Sequence, residues 1–177
     1  MEQAAKLDYD GVLHALFNNA GVVGLQQSYI DHDIEEWHRV LNIDLNGVLY
    51  GLKYGLAQMV KQAEKNAAQE SDDPNFAMVN RASTAAFRGL PNIGPYTATK
   101  WAVRGMIMPA AMENAQYKIR VNAIAPTDTE TDMIRQFVAS SPDPEKVLEV
   151  MQAMNALPGF PQPVDMAAVC AFLLNRS

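Results

Sequence analysis

Three short apolar runs constrain the fold of this chain more than any other feature. They cover residues 12–17, 76–80 and 119–124, and segments of helical periodicity separate them. Runs that are apolar at successive positions are typical of parallel strands whose two faces are both covered. The sequence therefore predicts an α/β chain with a parallel sheet, in which residues 119–124 are buried on both faces.

The segments between these runs predict two long helices. Apolar residues recur every three or four positions over residues 33–66, with Asp31 or Asp33 placed to cap the helix N-terminus. A stripe of glycines at 47, 51 and 55 favours close packing against the sheet or another helix. The second helix starts at Pro95, and Pro109 predicts a kink or an early break in it. Residues 1–7 are typical of the end of a helix, and residues 71–75 of a loop.

The second helix carries a candidate proton-transfer site. Tyr96 and Lys100 are four residues apart and so share one helix face. A tyrosine titrates near ~10, but an ammonium roughly 4 Å away can lower the pKa of the phenol by as much as ~3 units. Ser83 lies on the loop before this helix, where its hydroxyl can donate a hydrogen bond to the same oxygen. We therefore expect a phenol that titrates near neutrality and exchanges protons with a carbonyl or alcohol.

Composition excludes several other functions. The 177 residues predict one domain, and 49% hydrophobic with 19% charged residues are typical of a soluble globular protein. A net charge of −6 without a basic cluster argues against nucleic acid, and no apolar run approaches the ~20 residues of a membrane span. Cys170 is the only cysteine, which favours a reducing compartment, and we expect a cytoplasmic protein. The three histidines share no ligand spacing, so no metal is expected.

Three motifs in a fixed order identify a resemblance. N-N-A-G at 18–21, S…Y-x-x-x-K from Ser83 to Lys100 and V-N-A-I-A-P at 121–126 together resemble the classical short-chain dehydrogenase/reductases. The extended epimerase/dehydratase branch also uses Y-x-x-x-K, but the first and third motifs favour the classical branch. The resemblance implies a Rossmann-like, doubly wound parallel sheet, NAD or NADP as cofactor, and hydride transfer between a secondary alcohol and a ketone.

The resemblance also implies roles for particular residues. Tyr96 is the acid/base, Lys100 lowers its pKa and holds the nicotinamide ribose, and Ser83 polarises the carbonyl. The other positions implied to contact the cofactor are Asn18, Ala20, Gly21, Pro126, Thr127, Thr129 and Thr131. The substrate is expected to contact Ser83, Ala85, Met133 and Phe137, the last two on a helix that covers the pocket as a lid.

The sequence departs from the family pattern at three positions. Asp44 stands where the family usually has an asparagine of the proton relay, and an ionised aspartate accepts hydrogen bonds but cannot donate them. Lys118 replaces a glycine, which is unfavourable if the backbone there has a positive φ. Thr127 also replaces a glycine, at a place where the backbone passes close to the nicotinamide.

The largest departure concerns the N-terminal part of the family's domain. No G-x-G-x-x-G phosphate-binding turn occurs, so residues 1–177 are expected to form one partial, N-terminally truncated domain that carries the catalytic part. The strand at 12–17 would then be an unpaired apolar edge. Two functions follow: an oxidoreductase, or a non-catalytic subunit that acts as a scaffold or oligomer partner. The resemblance implies a homodimer or homotetramer through the two long helices.

Overall fold

The computed structural model describes residues 11–68, 75–157 and 159–175. The predicted helix end at 1–7 and most of the predicted loop at 71–75 lie outside these residues. The strands are β1 (Ala15–Asn18), β2 (Ala77–Arg81) and β3 (Arg120–Ile124). The α-helices are α1 (Ile34–Leu41), α2 (Gly47–Ala68), α3 (Gly94–Asn114), α4 (Asp132–Ala139), α5 (Pro144–Ala153) and α6 (Pro163–Leu174).

The strands form one parallel sheet in the order β1-β2-β3, which confirms the predicted α/β class. Ala15 pairs with Ala77, and Ala77 pairs with Arg120. The central strand β2 is buried along almost its whole length, whereas β1 is an edge within the described residues, as expected. The prediction that β3 is buried on both faces is wrong, because Ala123 is exposed and β3 forms the other edge of the sheet in the described part of the chain.

Helices cover both faces of the sheet, as in a doubly wound fold. On one face, α2 and α3 pack against the strands in a core that includes Leu52, Met59, Met78, Val103 and Val121. On the other face, α6 packs against β2 and β3 in a smaller cluster of Val79, Ile124 and Cys170. This arrangement leaves the carboxyl ends of all three strands at one edge, where the loops carry the candidate site residues.

The helix predicted over residues 33–66 forms without a gap, but its winding changes once. Asp33 caps α1, its Oδ1 accepting a hydrogen bond from the backbone N–H of Glu36 at 2.7 Å. Between α1 and α2 the chain forms a π-helical segment, Asn42–Asn46, in which the wider turn holds one extra residue. Asp44 in this segment is fully buried, while Asn42 and Asn46 bond to each other on the outside. The wider turn thus directs Asp44 towards the protein interior.

Pro109 does not end α3, which continues through it to Asn114, so the predicted early break is wrong. A proline deprives the carbonyl four residues earlier of its partner, here that of Gly105. Both residues are exposed and Gly105 has no side chain, so water can reach this carbonyl. The helix therefore loses one backbone hydrogen bond without leaving a buried acceptor unpaired.

A polar chain ties the three strands together near their carboxyl ends. The Asn18 side chain donates to Oδ1 of Asn80 at 2.7 Å, and the Asn80 side chain donates to the Asn122 carbonyl at 3.2 Å. Gly51 on α2 lies directly against this chain, since a Cβ on it would overlap with the amide of Asn18. The glycine stripe thus permits the close approach predicted for it at this position.

The structure also contains a backbone strain foreseen in the sequence. Lys118 has φ +56°, in the left-handed region, where a side chain is disfavoured. In the described ranges of the chain, no helix is long and apolar enough to cross a membrane.

Candidate active site

A cavity of about 300 Å³ lies at the edge where the strands end. Ser83 and Tyr96 line it on the side of the sheet. The opposite wall is apolar and comes from α4 and α5, with contributions from Met133, Ile134, Phe137, Val147, Val150 and Met151. A water-poor wall that faces a hydroxyl and a phenol is suited to a small, mostly apolar ligand that carries a polar oxygen.

Local backbone geometry fixes the position of Ser83. It caps a 3₁₀ turn, Thr84–Ala86, and its Oγ accepts a hydrogen bond from the Ala85 N–H at 3.1 Å. The next N–H, of Thr84, donates to the Pro126 carbonyl at 3.0 Å and so joins the loop after β2 to the loop after β3. The serine hydroxyl also forms a hydrogen bond with the Tyr96 phenol, so an oxygen bound in the cavity would share this donor.

Tyr96 and Lys100 lie side by side at the start of α3. Pro95 is in the first turn of this helix, as predicted, and the Thr99 hydroxyl donates to the Tyr96 carbonyl at 2.7 Å. The Lys100 Nζ is 5.2 Å from the centre of the Tyr96 ring. Lys100 is almost fully buried, so its charge acts on the phenol with little screening by water.

The ammonium of Lys100 is paired with a carboxylate. Its Nζ lies 3.0 Å from Asp44 Oδ2, with exposed side-chain fractions of 3% for Lys100 and 0% for Asp44. The Arg81 carbonyl accepts a second, longer hydrogen bond from Nζ at 3.4 Å, and Asp44 Oδ1 accepts from the Val22 N–H at 2.7 Å. Gly21 closes over the pair, because a Cβ there would be 3.0 Å from Asp44 Oδ2.

The expected lowering of the phenol pKa is wrong for this structure, and burial is the main reason. Burial raises the pKa of Tyr96 above its ordinary value of 10.0, and the Ser83 hydrogen bond and the charge of Arg81 offset this rise only in part. The Asp44 carboxylate adds a smaller rise, because its negative charge disfavours a phenolate nearby. Burial lowers the pKa of Lys100, whereas Asp44 raises it.

The predicted cofactor contacts after β3 come together beside Tyr96. Pro126, Thr127, Thr129 and Thr131 all line the cavity. The Thr127 hydroxyl donates to Asn155 Oδ1 at 2.7 Å, so this side chain is held by the segment after α5. The Thr129 hydroxyl donates to the Thr127 carbonyl at 3.1 Å, while the Thr131 hydroxyl accepts from the Ile134 N–H at 3.4 Å as the cap of α4.

The remaining predicted residues lie at different depths. Met133 and Phe137 line the cavity as expected, but Ala85 is fully buried and does not, because the 3₁₀ turn points its methyl group into the core. Gly21 contacts the Lys100 pair, and Asn18 serves the strand tie rather than the cavity. Ala20 is exposed beside them and is not part of the cavity lining.

Sequence reasoning missed the charged part of the cavity wall. Arg81, Arg88, Asp128 and Lys146 line it, and the Arg81 guanidinium donates to Asn19 Oδ1 at 3.2 Å. Burial raises the pKa of Asp128, and the charge of Arg88 offsets part of this rise. Their positions in the sequence could have indicated this, because Arg88 follows Ser83 closely and Asp128 follows the V-N-A-I-A-P motif.

Comparison with known proteins gives consistent results. The family model described as enoyl-(acyl carrier protein) reductase matches residues 2–177. Cyclohexanol dehydrogenase of Acinetobacter sp. (strain SE19) is 33% identical over 165 residues, which are 93% of this chain and 58% of that protein. Levodione reductase of Leifsonia aquatica is 32% identical over 167 residues, with the same coverages of 93% and 58%. The chain thus spans 58% of the length of these curated relatives.

Solved structures match over nearly the whole chain. The crystal structure of levodione reductase superposes with a TM-score of 0.84 at 32% identity and covers 98% of this chain and 64% of that one. NAD⁺-bound xylitol dehydrogenase gives 0.82 at 30% identity, covering 99% and 70%. ElxO with NADP bound gives 0.80 at 26% identity, covering 99% and 64%. Similar structures therefore hold either form of the nicotinamide cofactor.

Proposed function

The chain belongs to the short-chain dehydrogenase/reductase family, and on that premise we propose that it takes part in NAD(P)-dependent conversion between a secondary alcohol and a ketone. The observation that carries this proposal is the arrangement of Ser83, Tyr96 and Lys100. The first two line one cavity, and the third lies behind the phenol with its Nζ 5.2 Å from the ring centre. This arrangement gives the cavity a hydrogen-bond donor and a proton donor, with a cation behind the proton donor.

Tyr96 is the proton carrier in this proposal. Its raised pKa keeps it protonated at neutral pH, the form that delivers a proton to a carbonyl oxygen during reduction. Ser83 holds that oxygen by hydrogen bonding, and the nearby ammonium of Lys100 stabilises the phenolate left after transfer. In the direction of oxidation, the phenolate takes the hydroxyl proton, so oxidation requires a more alkaline solution than reduction.

The residues around the cavity fit a nicotinamide cofactor. The Thr129 hydroxyl is committed as a donor and can still accept, whereas the Thr131 hydroxyl is committed as an acceptor and can still donate. An acceptor and a donor on one cavity match the NH₂ and C=O groups of a carboxamide. Pro126 and Thr127 would line the ring, and Ala20, Gly21 and Lys100 would contact the adjoining ribose side, supported by Asn18 through the strand tie. When bound there, the cofactor supplies or accepts the hydride.

The test is turnover of the native chain with cyclohexanol and NAD⁺ or NADP⁺, measured as absorbance of the reduced cofactor. Tyr96→Phe removes the transferable proton and is expected to lower kcat by at least about 100-fold. Tyr117→Phe removes the hydroxyl of a tyrosine that packs against the core after α3, outside the cavity lining, and is expected to keep the native rate. A Tyr96→Phe protein that turns over at the native rate would refute the assignment.

A non-catalytic role is the second candidate, and the ion pair of Asp44 favours it. A carboxylate at 3.0 Å weakens the effect of Lys100 on the phenol, which a catalyst of alcohol oxidation needs. The same assay distinguishes the two functions. If a folded and oligomeric sample shows no turnover with either cofactor, the result supports the non-catalytic role as a scaffold or oligomer partner.

We also propose that the protein is a cytoplasmic homo-oligomer. The outer faces of the two long helices carry exposed apolar side chains, among them Tyr50 and Tyr54 on α2 and Trp101, Met108 and Met112 on α3. Surfaces of this kind commonly bind another subunit. Light scattering after size exclusion gives the mass, and a monomer at micromolar concentration would contradict this part of the proposal.

A further inference from the structure

The cavity wall carries an excess of positive charge. Arg81, Arg88 and Lys146 line it, opposed by the single carboxylate of Asp128 among the described lining residues. The remaining lining side chains are mostly apolar, so these charges act across a region poor in water. An anionic group of a ligand is therefore favoured inside the cavity.

Arg88 is the cation without a partner of its own. Arg81 donates to Asn19, and Lys146 is exposed to solvent. The Nε of Arg88 is buried without a hydrogen-bond acceptor, and no carboxylate among the described residues forms an ion pair with it. A buried donor that lacks an acceptor costs free energy, which a bound acceptor would recover.

On the basis of the proposed function, we infer that Arg88 binds a carboxylate on the substrate, which is then a hydroxy acid or the matching oxo acid. The guanidinium presents Nε–H and Nη–H in one plane, a geometry that pairs with both oxygens of a carboxylate. Ser83 and Tyr96 bind the reacting oxygen in the same cavity, so the two ends of the substrate are held separately. The apolar side chains of α4 and α5 cover the hydrocarbon between them.

Asp128 sets the strength of this anion site. It lies close enough to Arg88 for the two charges to interact, yet they form no ion pair. An incoming carboxylate competes with Asp128 for the same guanidinium and is repelled by it. Removal of the Asp128 charge is therefore expected to tighten the binding of an anionic ligand, whereas a purely structural Arg88–Asp128 pair predicts no such gain.

The experiment compares two test ligands of one shape, cyclohexanecarboxylate and cyclohexanecarboxamide. Their Kd values are measured by calorimetry on the full chain, with and without NADH. We expect the native chain to bind the carboxylate at least about tenfold more tightly than the amide, the effect of one charge-assisted hydrogen-bonded pair. Arg88→Gln should remove this preference, and Asp128→Asn should lower the Kd of the carboxylate.

Arg135→Gln is the matched control, because Arg135 on α4 is exposed, pairs with Asp132 at 2.8 Å and lies outside the cavity lining. It should keep the full preference. Arg88→Lys keeps the charge without the planar pair of donors and should show an intermediate preference, which tests the idea if Arg88→Gln does not fold. The inference is overturned if the native chain binds the two ligands equally or binds neither. It is also overturned if Arg88→Gln and Arg88→Lys both keep the full preference for the carboxylate.

Failure of the proposed function gives a different result. Binding is measured without turnover, and the turnover assay is repeated with 4-hydroxycyclohexanecarboxylate. A chain that prefers the carboxylate through Arg88 but oxidises neither this hydroxy acid nor cyclohexanol in a Tyr96-dependent way has the anion site without the proposed activity. A chain with Tyr96-dependent turnover of cyclohexanol and no carboxylate preference has the activity without the anion site.

Discussion

The buried pair of Asp44 and Lys100 should be strongly coupled in its effect on stability. The two charged atoms are 3.0 Å apart, and neither side chain is more than 3% exposed. At an effective dielectric of about 20, two unit charges at this distance attract by about 5.5 kcal/mol, and loss of one partner from a buried pair typically costs 3–5 kcal/mol. We therefore expect a coupling free energy of about 3 kcal/mol.

A double-mutant cycle measures this coupling. Asp44→Asn keeps an oxygen to accept from the Val22 N–H, and Lys100→Met keeps most of the apolar stem of the lysine. Each single variant leaves one buried charge unpaired, whereas the double variant leaves none. The free energy of unfolding in urea should fall by about 3 kcal/mol in each single variant, and the double variant should lose far less than the sum.

The exposed pair of Arg135 and Asp132 provides the control cycle. Its atoms are 2.8 Å apart, but the side chains are 60% and 85% exposed, so a coupling of at most about 0.5 kcal/mol is expected. If Asp44 and Lys100 show a coupling as small as the control, then water screens the buried pair. Asp44 would then contribute little to the raised pKa of Tyr96, which would rest on burial alone.

Two further predictions concern stability. Lys118→Gly should raise the free energy of unfolding, measured in urea, by up to about 1 kcal/mol, because glycine adopts φ +56° without strain. The control is Lys61→Gly, at an exposed position within α2, which should lower the free energy of unfolding by about the same amount. Asp128→Asn should raise the Tm at pH 7, because the ionised carboxylate is disfavoured by burial. This gain should shrink as the pH falls through the raised pKa of Asp128 and vanish below its ordinary value of 3.8, where both folded and unfolded chains are protonated. A gain in Tm that is as large below pH 3.8 as at pH 7 would contradict this explanation.

Much of the fold follows from local pattern. The three apolar runs became the three strands, shifted by a few residues, because a run of apolar residues fits a covered strand wherever its exact ends lie. Tyr96 and Lys100 share a face because helix geometry leaves no alternative over one turn. The strain at Lys118 was also foreseen from a single substitution.

The electrostatics of the site could not be read from the sequence. The spacing of Tyr96 and Lys100 indicates that they meet, but not that Asp44, more than fifty positions earlier, neutralises the lysine. Likewise, an arginine such as Arg88 is usually a surface residue, and only the packing of α4 and α5 over it makes it part of a cavity. Both outcomes depend on contacts between segments far apart in the chain.

The π-helical segment inserts one residue into a continuous helix. The wider turn takes up this residue, so α1 and α2 keep nearly the phase that they would have in an unbroken α-helix. Deletion of one residue from the segment would restore α-helical winding and change the direction in which Asp44 points, whereas Gly51, beyond the segment, would keep its place against Asn18. The insertion thus adds a buried counterion for the lysine and leaves the strand tie undisturbed.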